Sequence, residues 1–181
     1  MNDIVHQKKE LRQIIRQRKK ELSIEQKLEL SDRIFAQIED LPQFKDAHTI
    51  LAYWAMHDEV QTHDFILRWQ HKKRFVLPVI KGDDLELREF TGIDTLKVCD
   101  NFNVLEPHAG EIITPDKIDL VIVPGVAFDI QGNRLGRGKA YYDKLFCNIL
   151  VYKVAVCFEL QIVDNIPIEE TDVQMDKVIW A

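Results

Sequence analysis

Cysteine, glycine and uninterrupted apolar sequence are all scarce in this chain, and each scarcity excludes a class of protein. Three cysteines in 181 residues, Cys99, Cys147 and Cys157, make an odd count with no C-x-x-C pair. That argues against a disulfide framework or a cysteine-rich zinc site and leads us to expect buried, reduced thiols. No apolar run approaches the roughly 18 residues a membrane helix needs. The opening MNDIVHQKKE has no apolar stretch of the secretory kind, so a cytoplasmic protein without a membrane partner is expected. Positive charge is also short: the formal net charge is −6, although residues 1–22 carry seven Lys/Arg against three Asp/Glu. An acidic body repels nucleic acid, so no such partner is expected, and the basic start serves either one anionic ligand or a solvated helix face. At 46% hydrophobic and 30% charged, without repeats or Pro/Gly/Ser-rich linkers, residues 1–181 read as a single, monomeric domain.

The pattern that is present alternates helices with short strands. Ile4, Leu11, Ile15 and Leu22 are spaced as on one stripe of an amphipathic helix. Ser23 and Gln26 form a capping-box pattern, and Leu28, Ile34, Phe35 and Ile38 continue a second helix toward Leu41-Pro42. Residues 49–54, 74–80 and 85–90 are β-rich runs bounded by turn residues. Phe65, Ile66 and Trp69 predict a crossover helix between the first two, and Gly82-Asp83-Asp84 predicts a hairpin between the second and third. Residues 118–123, apolar apart from Asp119, are expected to form a strand of the doubly covered kind, followed by a loop, a helix over 141–149 and a strand over 151–158, which is one right-handed βαβ unit. The expected fold class is α/β: a three-layer α/β/α sandwich around a mixed, mostly parallel sheet.

Four of the seven glycines, Gly125, Gly132, Gly136 and Gly138, crowd the loop after that buried strand. Glycine lets backbone N–H groups approach an anion, and the helix that follows adds its own unpaired N–H groups. Arg134, Arg137, Lys139 and Lys144 add charge suited to a polyphosphate rather than a single carboxylate. The spacing excludes two common versions of such a loop. Gly132 and Gly138 are one residue too far apart for a Walker loop, Ala140 stands where Ser or Thr would bind magnesium, and Tyr141 occupies the third glycine position of a dinucleotide fingerprint.

Other candidates carry two readings each. Asp143, just inside the helix, either holds magnesium against phosphates or interacts with the helix dipole. Asp172 and Asp176 lie one turn apart if that segment is helical, and otherwise are solvated acids. Lys8 and Arg12 share a helix face, toward one anion or toward water. His57-Asp58-Glu59 imitates the H-x-E of zinc deaminases, but the required P-C-x-x-C is missing and no zinc site is expected. Glu59, beyond a strand end, either accepts two N–H donors from a heterocycle, with Trp54 as apolar surface nearby, or is an exposed loop acid. No Ser-His-Asp or Cys-His pattern stands out. Two rivals remain at this level: a small-molecule kinase that keeps the phosphoryl group on its product, and a nucleic-acid contact through Arg16, Arg18, Lys19 and Lys20 of the first helix.

Taken together, these residues resemble the 5-formyltetrahydrofolate cyclo-ligase family over nearly the whole chain. The most specific part is Pro124-Gly125-Val126-Ala127-Phe128-Asp129 followed by Gly132-Asn133-Arg134-Leu135-Gly136-Arg137-Gly138-Lys139-Ala140-Tyr141-Tyr142-Asp143. Lys8, Arg12, Met56-x-Asp58-Glu59-Val60-x-Thr62, Glu106-Pro107, Asp172 and Asp176 support it. The resemblance implies ATP and 5-formyltetrahydrofolate as substrates. ATP would meet Lys8, Arg12 and the loop Arg134, Leu135, Gly136, Arg137, Gly138, Lys139, Ala140, Tyr141 and Tyr142. Mg2+ would lie on Asp143 and Asp176, and folate on Trp54, Glu59 and the loop from Arg137 to Tyr141. It also assigns Arg137 and Lys139 to the transferred phosphate and Tyr141 to orienting the substrate. Ala140 departs from the glycine usual in this loop, at a position suited to positive φ or close ligand approach.

Overall fold

The computed structural model describes residues 2–99, 104–147 and 149–181. Five helices, α1 (Asn2–Lys19), α2 (Ile24–Asp40), α3 (Pro42–Asp46), α4 (His63–Trp69) and α5 (Tyr141–Phe146), surround the strands. In chain order these are β1 (Thr49–Leu51), β2 (Arg74–Lys81), β3 (Asp84–Glu89), β4 (Leu96–Cys99), β5 (Val104–Pro107), β6 (Leu120–Val123), β7 (Ala127–Phe128), β8 (Arg134–Leu135), β9 (Tyr152–Cys157) and β10 (Lys177–Trp180). Six of them form one sheet in the order β10-β9-β6-β1-β2-β3. Every neighbouring pair is parallel except β2 with β3, the hairpin turned by Gly82 and Asp83.

Alternation along the strands divides the core. Ile50, Phe75, Leu120, Ile122, Val154 and Val156 face the cluster that holds Ile34, Phe35 and Ile38 of α2, Phe44 of α3 and Phe65 of α4. There Phe35 and Phe65 stack at 4.3 Å between ring centroids. Leu51, Val76, Val121, Val123 and Ala155 face the other way, onto Phe128, Phe146 of α5 and Met175. Successive residues of each central strand are thus apolar on both faces, as a covered parallel strand requires. The α/β/α sandwich is confirmed, with a thin third layer in which α5 is the one α-helix among the described residues.

Helix α1 does not lie on the main sheet. Its Ile15, fully buried, packs with Leu11 against Ala127, Leu135 and Ile166, so the helix rests on the short β7–β8 ribbon. Ser23 caps α2 as expected: its hydroxyl accepts the Gln26 amide at 3.2 Å, and the Gln26 side chain accepts the Ser23 amide at 2.8 Å. Leu28, expected on the buried stripe, is exposed.

Several other expectations are corrected. The run 49–54 is strand only as far as Leu51, because beyond the Ala52 amide, which bonds to the Val76 carbonyl, the polar groups turn to side chains. The Thr62 hydroxyl donates to Tyr53 O at 2.6 Å and accepts from Ala55 N at 3.2 Å. Asp172 and Asp176 are not on a helix: Met175 N bonds to Gly132 O and Asp176 N to Lys153 O, so tertiary pairing replaces helical bonds. Of the three thiols only Cys157 is fully buried, Cys99 is half-buried and Cys147 exposed. Among the described residues no helix is long and apolar enough to cross a membrane.

Candidate active site at the glycine loop

Strand β6 delivers the chain to the edge of the sheet where the parallel strands end, and the β7–β8 ribbon and the loop 136–140 follow before α5. Gly132 has φ +91, and a Cβ there would sit 2.5 Å from Met175 O, so only glycine lets the ribbon turn against the C-terminal segment. Beyond the ribbon, Arg134 donates one nitrogen to both oxygens of Asp143, each at 2.9 Å, with side chains 4% and 15% exposed. The guanidinium also lies 5.6 Å from the centroid of the Tyr142 ring. Arg134 therefore clamps the ribbon to the first turn of α5. Leu135, also expected at the nucleotide, puts its side chain into the core beside Ile15.

The loop between these anchors is exposed at Arg137, Gly138, Lys139 and Ala140. Ala140 has φ 56 and ψ 16, the left-handed region, and among the described residues it is the one non-glycine residue with positive φ. The position thus has the conformation that the departure from glycine put in question. Left-handed backbone costs an L-residue about 1–2 kcal/mol, whereas glycine loses about 0.5–1 kcal/mol through its freer unfolded chain. Ala140→Gly is therefore expected to raise stability slightly, by about 0.5–1 kcal/mol, seen as a thermal midpoint about 2 °C higher. A lower midpoint would contradict the strain.

Helix α1 turns cations toward this loop. Lys8, Arg12, Ile15 and Lys19 fall on one face by their spacing, and the lysines are buried with Ile15. Arg12 Nε donates to Gly136 O at 2.8 Å. Lys8 Nζ meets Glu169 at 2.7 Å and Asp172 at 2.5 Å. Burial works against the Lys8 ammonium, but those two carboxylates outweigh it and raise its pKa. Lys19 Nζ meets Asp58 at 3.0 Å, with burial pulling its pKa down. Lys19 was thus not part of a solvated basic run.

From Lys19 a chain of alternating charge crosses the site. Asp58 Oδ1 takes Arg137 Nη2 at 2.7 Å, and Glu59 Oε1 takes both Nη2 at 3.0 Å and Nε at 3.3 Å of the same guanidinium. Glu59 Oε2 accepts the Met56 amide at 3.0 Å, and its side chain is 9% exposed. Glu59 is a fixed, buried acceptor aimed at two N–H donors rather than an exposed loop acid. Beside it, Trp54 is nearly covered, stacked on His63 at 4.2 Å and Phe90 at 5.4 Å. Tyr141 donates its hydroxyl to Gly82 O at 3.1 Å and Lys144 reaches Asp83 O at 2.9 Å, which docks α5 on the β2–β3 hairpin.

Burial opposes ionisation of Asp58, yet Lys19 and Arg137 outweigh it and hold the carboxyl at about 2. A depressed acid contributes stability that is complete above its unfolded pKa, near 3.8, and lost as pH falls through the folded value. Asp58→Asn is accordingly expected to cost stability above pH 5, with the difference from wild type shrinking toward pH 2 in urea unfolding. A gap independent of pH would show that the charge does not matter.

For a metal, the two expected carboxylates have different partners: Asp143 is held by Arg134, and Asp176 Oδ2 by the amide and ammonium of Lys153 at 2.7 and 2.9 Å. Among the described residues no group of three His, Cys, Asp or Glu is placed to hold a metal ion. The donor set suits an ion that arrives with phosphate oxygens, as magnesium does, rather than an all-protein cage.

Known proteins resemble the chain over nearly its whole length. The solved 5,10-methenyltetrahydrofolate synthetase of Aquifex aeolicus superposes with a TM-score of 0.86 at 31% identity, covering 96% of this chain and 89% of that one. The synthetase of Mycoplasma pneumoniae gives 0.78 at 25% identity, covering 95% and 97%. The 5-formyltetrahydrofolate cyclo-ligase of Mus musculus is 28% identical over 188 residues, 96% of this chain and 93% of the mouse protein. The family profile itself matches residues 4–181, and the chain belongs to the 5-formyltetrahydrofolate cyclo-ligase family, and with it to the ligase class of enzymes.

Proposed function

We propose that the protein converts 5-formyltetrahydrofolate to 5,10-methenyltetrahydrofolate at the expense of ATP, releasing ADP and phosphate. The observation that carries this reading is the contact of Arg137 with Glu59. One residue of the anion-binding loop touches a buried carboxylate suited to the N–H donors of a pterin, so the two substrates would meet across a single side chain.

The formyl oxygen attacks the terminal phosphoryl group in line, and ADP leaves. The neighbouring folate nitrogen then attacks the formyl carbon, its N–H proton passes to the departing phosphate, which carries off the oxygen, and the ring closes. An amide-like oxygen leaves poorly until it is phosphorylated, so the protein's part is alignment and charge neutralisation. Arg137 and Lys139 lie on the exposed loop where transferred phosphate would pass. Arg12, fixed to Gly136 O, and Lys8 would meet the phosphates from α1. Tyr141 holds the loop against Gly82 and so orients the folate side. Glu59 would take the pterin N–H groups beside Trp54.

Magnesium, when bound, neutralises phosphate charge. Asp143 would hold it through Oδ2, which accepts the Arg134 contact alone among the described bonds, since Oδ1 also takes the Val173 amide at 3.5 Å, and Asp176 would join only if its pair with Lys153 opened. The expected result is that 5-formyltetrahydrofolate stimulates ADP release in step with the absorbance of the methenyl product, and that chelating magnesium stops both. ADP formed without ring closure would instead favour a kinase.

A further inference from the structure

Glu59 Oε1 is occupied by two N–H groups of Arg137, and these are the same kind of donor that a pterin would present. The carboxylate cannot serve both at full strength. Its other oxygen is taken by the Met56 amide, and the side chain is too buried for water to compensate an exchange loosely. Arg137, by contrast, is 47% exposed and sits between Gly136 and Gly138 on the loop that binds the anion. Asp58 remains beside it at 2.7 Å and is itself anchored by Lys19. A guanidinium let go by Glu59 is therefore kept at the site by a tether and does not drift into solvent.

We infer that Arg137 couples the two substrate sites: a heterocycle bound to Glu59 releases the guanidinium to the nucleotide's phosphates, so each substrate tightens the binding of the other. This rests on the proposed reading of the Glu59 and loop subsites, and extends it to how the two communicate. The physical basis is a competition. An anion binds fully only to molecules whose Arg137 is released, so its apparent affinity is lowered by the fraction in that state. A ligand at Glu59 raises the fraction through its differential affinity for the released form, and linkage requires the factor to be reciprocal. Charge-assisted hydrogen bonds are about twice as strong as neutral ones, so removing the charge of Glu59 at constant shape mimics the release.

The experiment is titration calorimetry of a non-hydrolysable ATP analogue with magnesium, with and without 5-formyltetrahydrofolate. In the wild type the folate is expected to tighten the analogue about 5-fold to 20-fold. Glu59→Gln should bind the analogue about that much more tightly with no folate present, although the substitution lies in the other subsite. Arg137→Lys, at an exposed position and without the paired bonds to Glu59, should lose most of the folate-induced tightening, and serves if Glu59→Gln lowers the thermal midpoint. In an Arg137→Ala background the gain from Glu59→Gln should vanish. Unchanged or weaker analogue binding in Glu59→Gln, a gain that persists without Arg137, or undiminished folate coupling in Arg137→Lys overturns the inference. Binding of both ligands to the wild type with a coupling factor of one overturns the inference alone, whereas failure of either to bind overturns the functional reading as well.

Discussion

Arg137→Ala is expected to lower turnover by about 100-fold to 1,000-fold, the loss typical when one preorganised donor to developing charge is removed. Two features make the effect large. The side chain stands on the loop whose amides would face the phosphates, and Asp58, itself anchored by Lys19, keeps the guanidinium at the site when Glu59 lets it go. Arg137→Lys keeps the charge but not the fork, and should recover only part of the rate, because an ammonium cannot donate two parallel bonds. If the donor acts on the transferred phosphoryl group, kcat and kcat/KM should fall together, whereas a role confined to substrate binding would raise KM alone. Folding should suffer less than rate: the side chain is about half exposed, and Glu59 keeps the Met56 amide. Turnover within a factor of three of wild type would remove Arg137 from the chemistry.

The contrast between Arg137 and Arg134 shows how far the sequence could be read. Both lie in one basic, glycine-rich stretch, and composition assigns both to an anion. The glycine concentration shows that the chain bends repeatedly between β6 and α5, because glycine content is local chemistry. The partner of Arg134 lies nine residues on, at Asp143, and depends on how the loop closes, which no periodicity records. Lys19 was a readable miss. Counted with Arg16, Arg18 and Lys20 it looks like a solvated run. Counted at the spacing of Lys8, Arg12 and Ile15 it falls on the buried face. The longer elements were legible, since α2 and the strands β2, β3 and β9 carry full periods of apolar sequence, and the four-residue β6 shows as an unbroken apolar run, Leu120–Val123. The ribbons β4–β5 and β7–β8 and the edge strand β10 were not, because two to four residues are too few to show a period. The sequence left open whether Asp172 and Asp176 share a helix for a related reason: the backbone there bonds to Gly132 and Lys153, and such distant partners leave no local signal.

The ribbon that carries the glycine loop depends on one buried carboxylate, and replacing it should give the largest stability change in the molecule. Asp129 is 0% exposed and makes no ion pair among the described contacts, but its two oxygens accept four N–H groups. Oδ1 takes the amides of Gln131 at 3.1 Å and Asn133 at 2.9 Å. Oδ2 takes the Asn133 side chain at 2.8 Å and the Ile166 amide at 3.1 Å. It thus closes the turn between β7 and β8 and ties it to the segment packed under α1. Asp129→Ala would leave the Ile166 amide unpaired in the interior and three part-buried donors without their acceptor, at about 1–3 kcal/mol each before relaxation and less where water reaches, against which stands the relief of a buried charge. A net loss of about 3–5 kcal/mol is expected, or roughly 10 °C in thermal midpoint for a chain of this size. The telling variant is Asp129→Asn, which preserves shape. Because donors approach both oxygens, an amide nitrogen must face N–H groups whichever way it is turned, so this substitution should cost nearly as much as alanine. Urea unfolding of the two variants decides the matter. An asparagine variant as stable as wild type would mean that volume, and not acceptance at both oxygens, holds the turn.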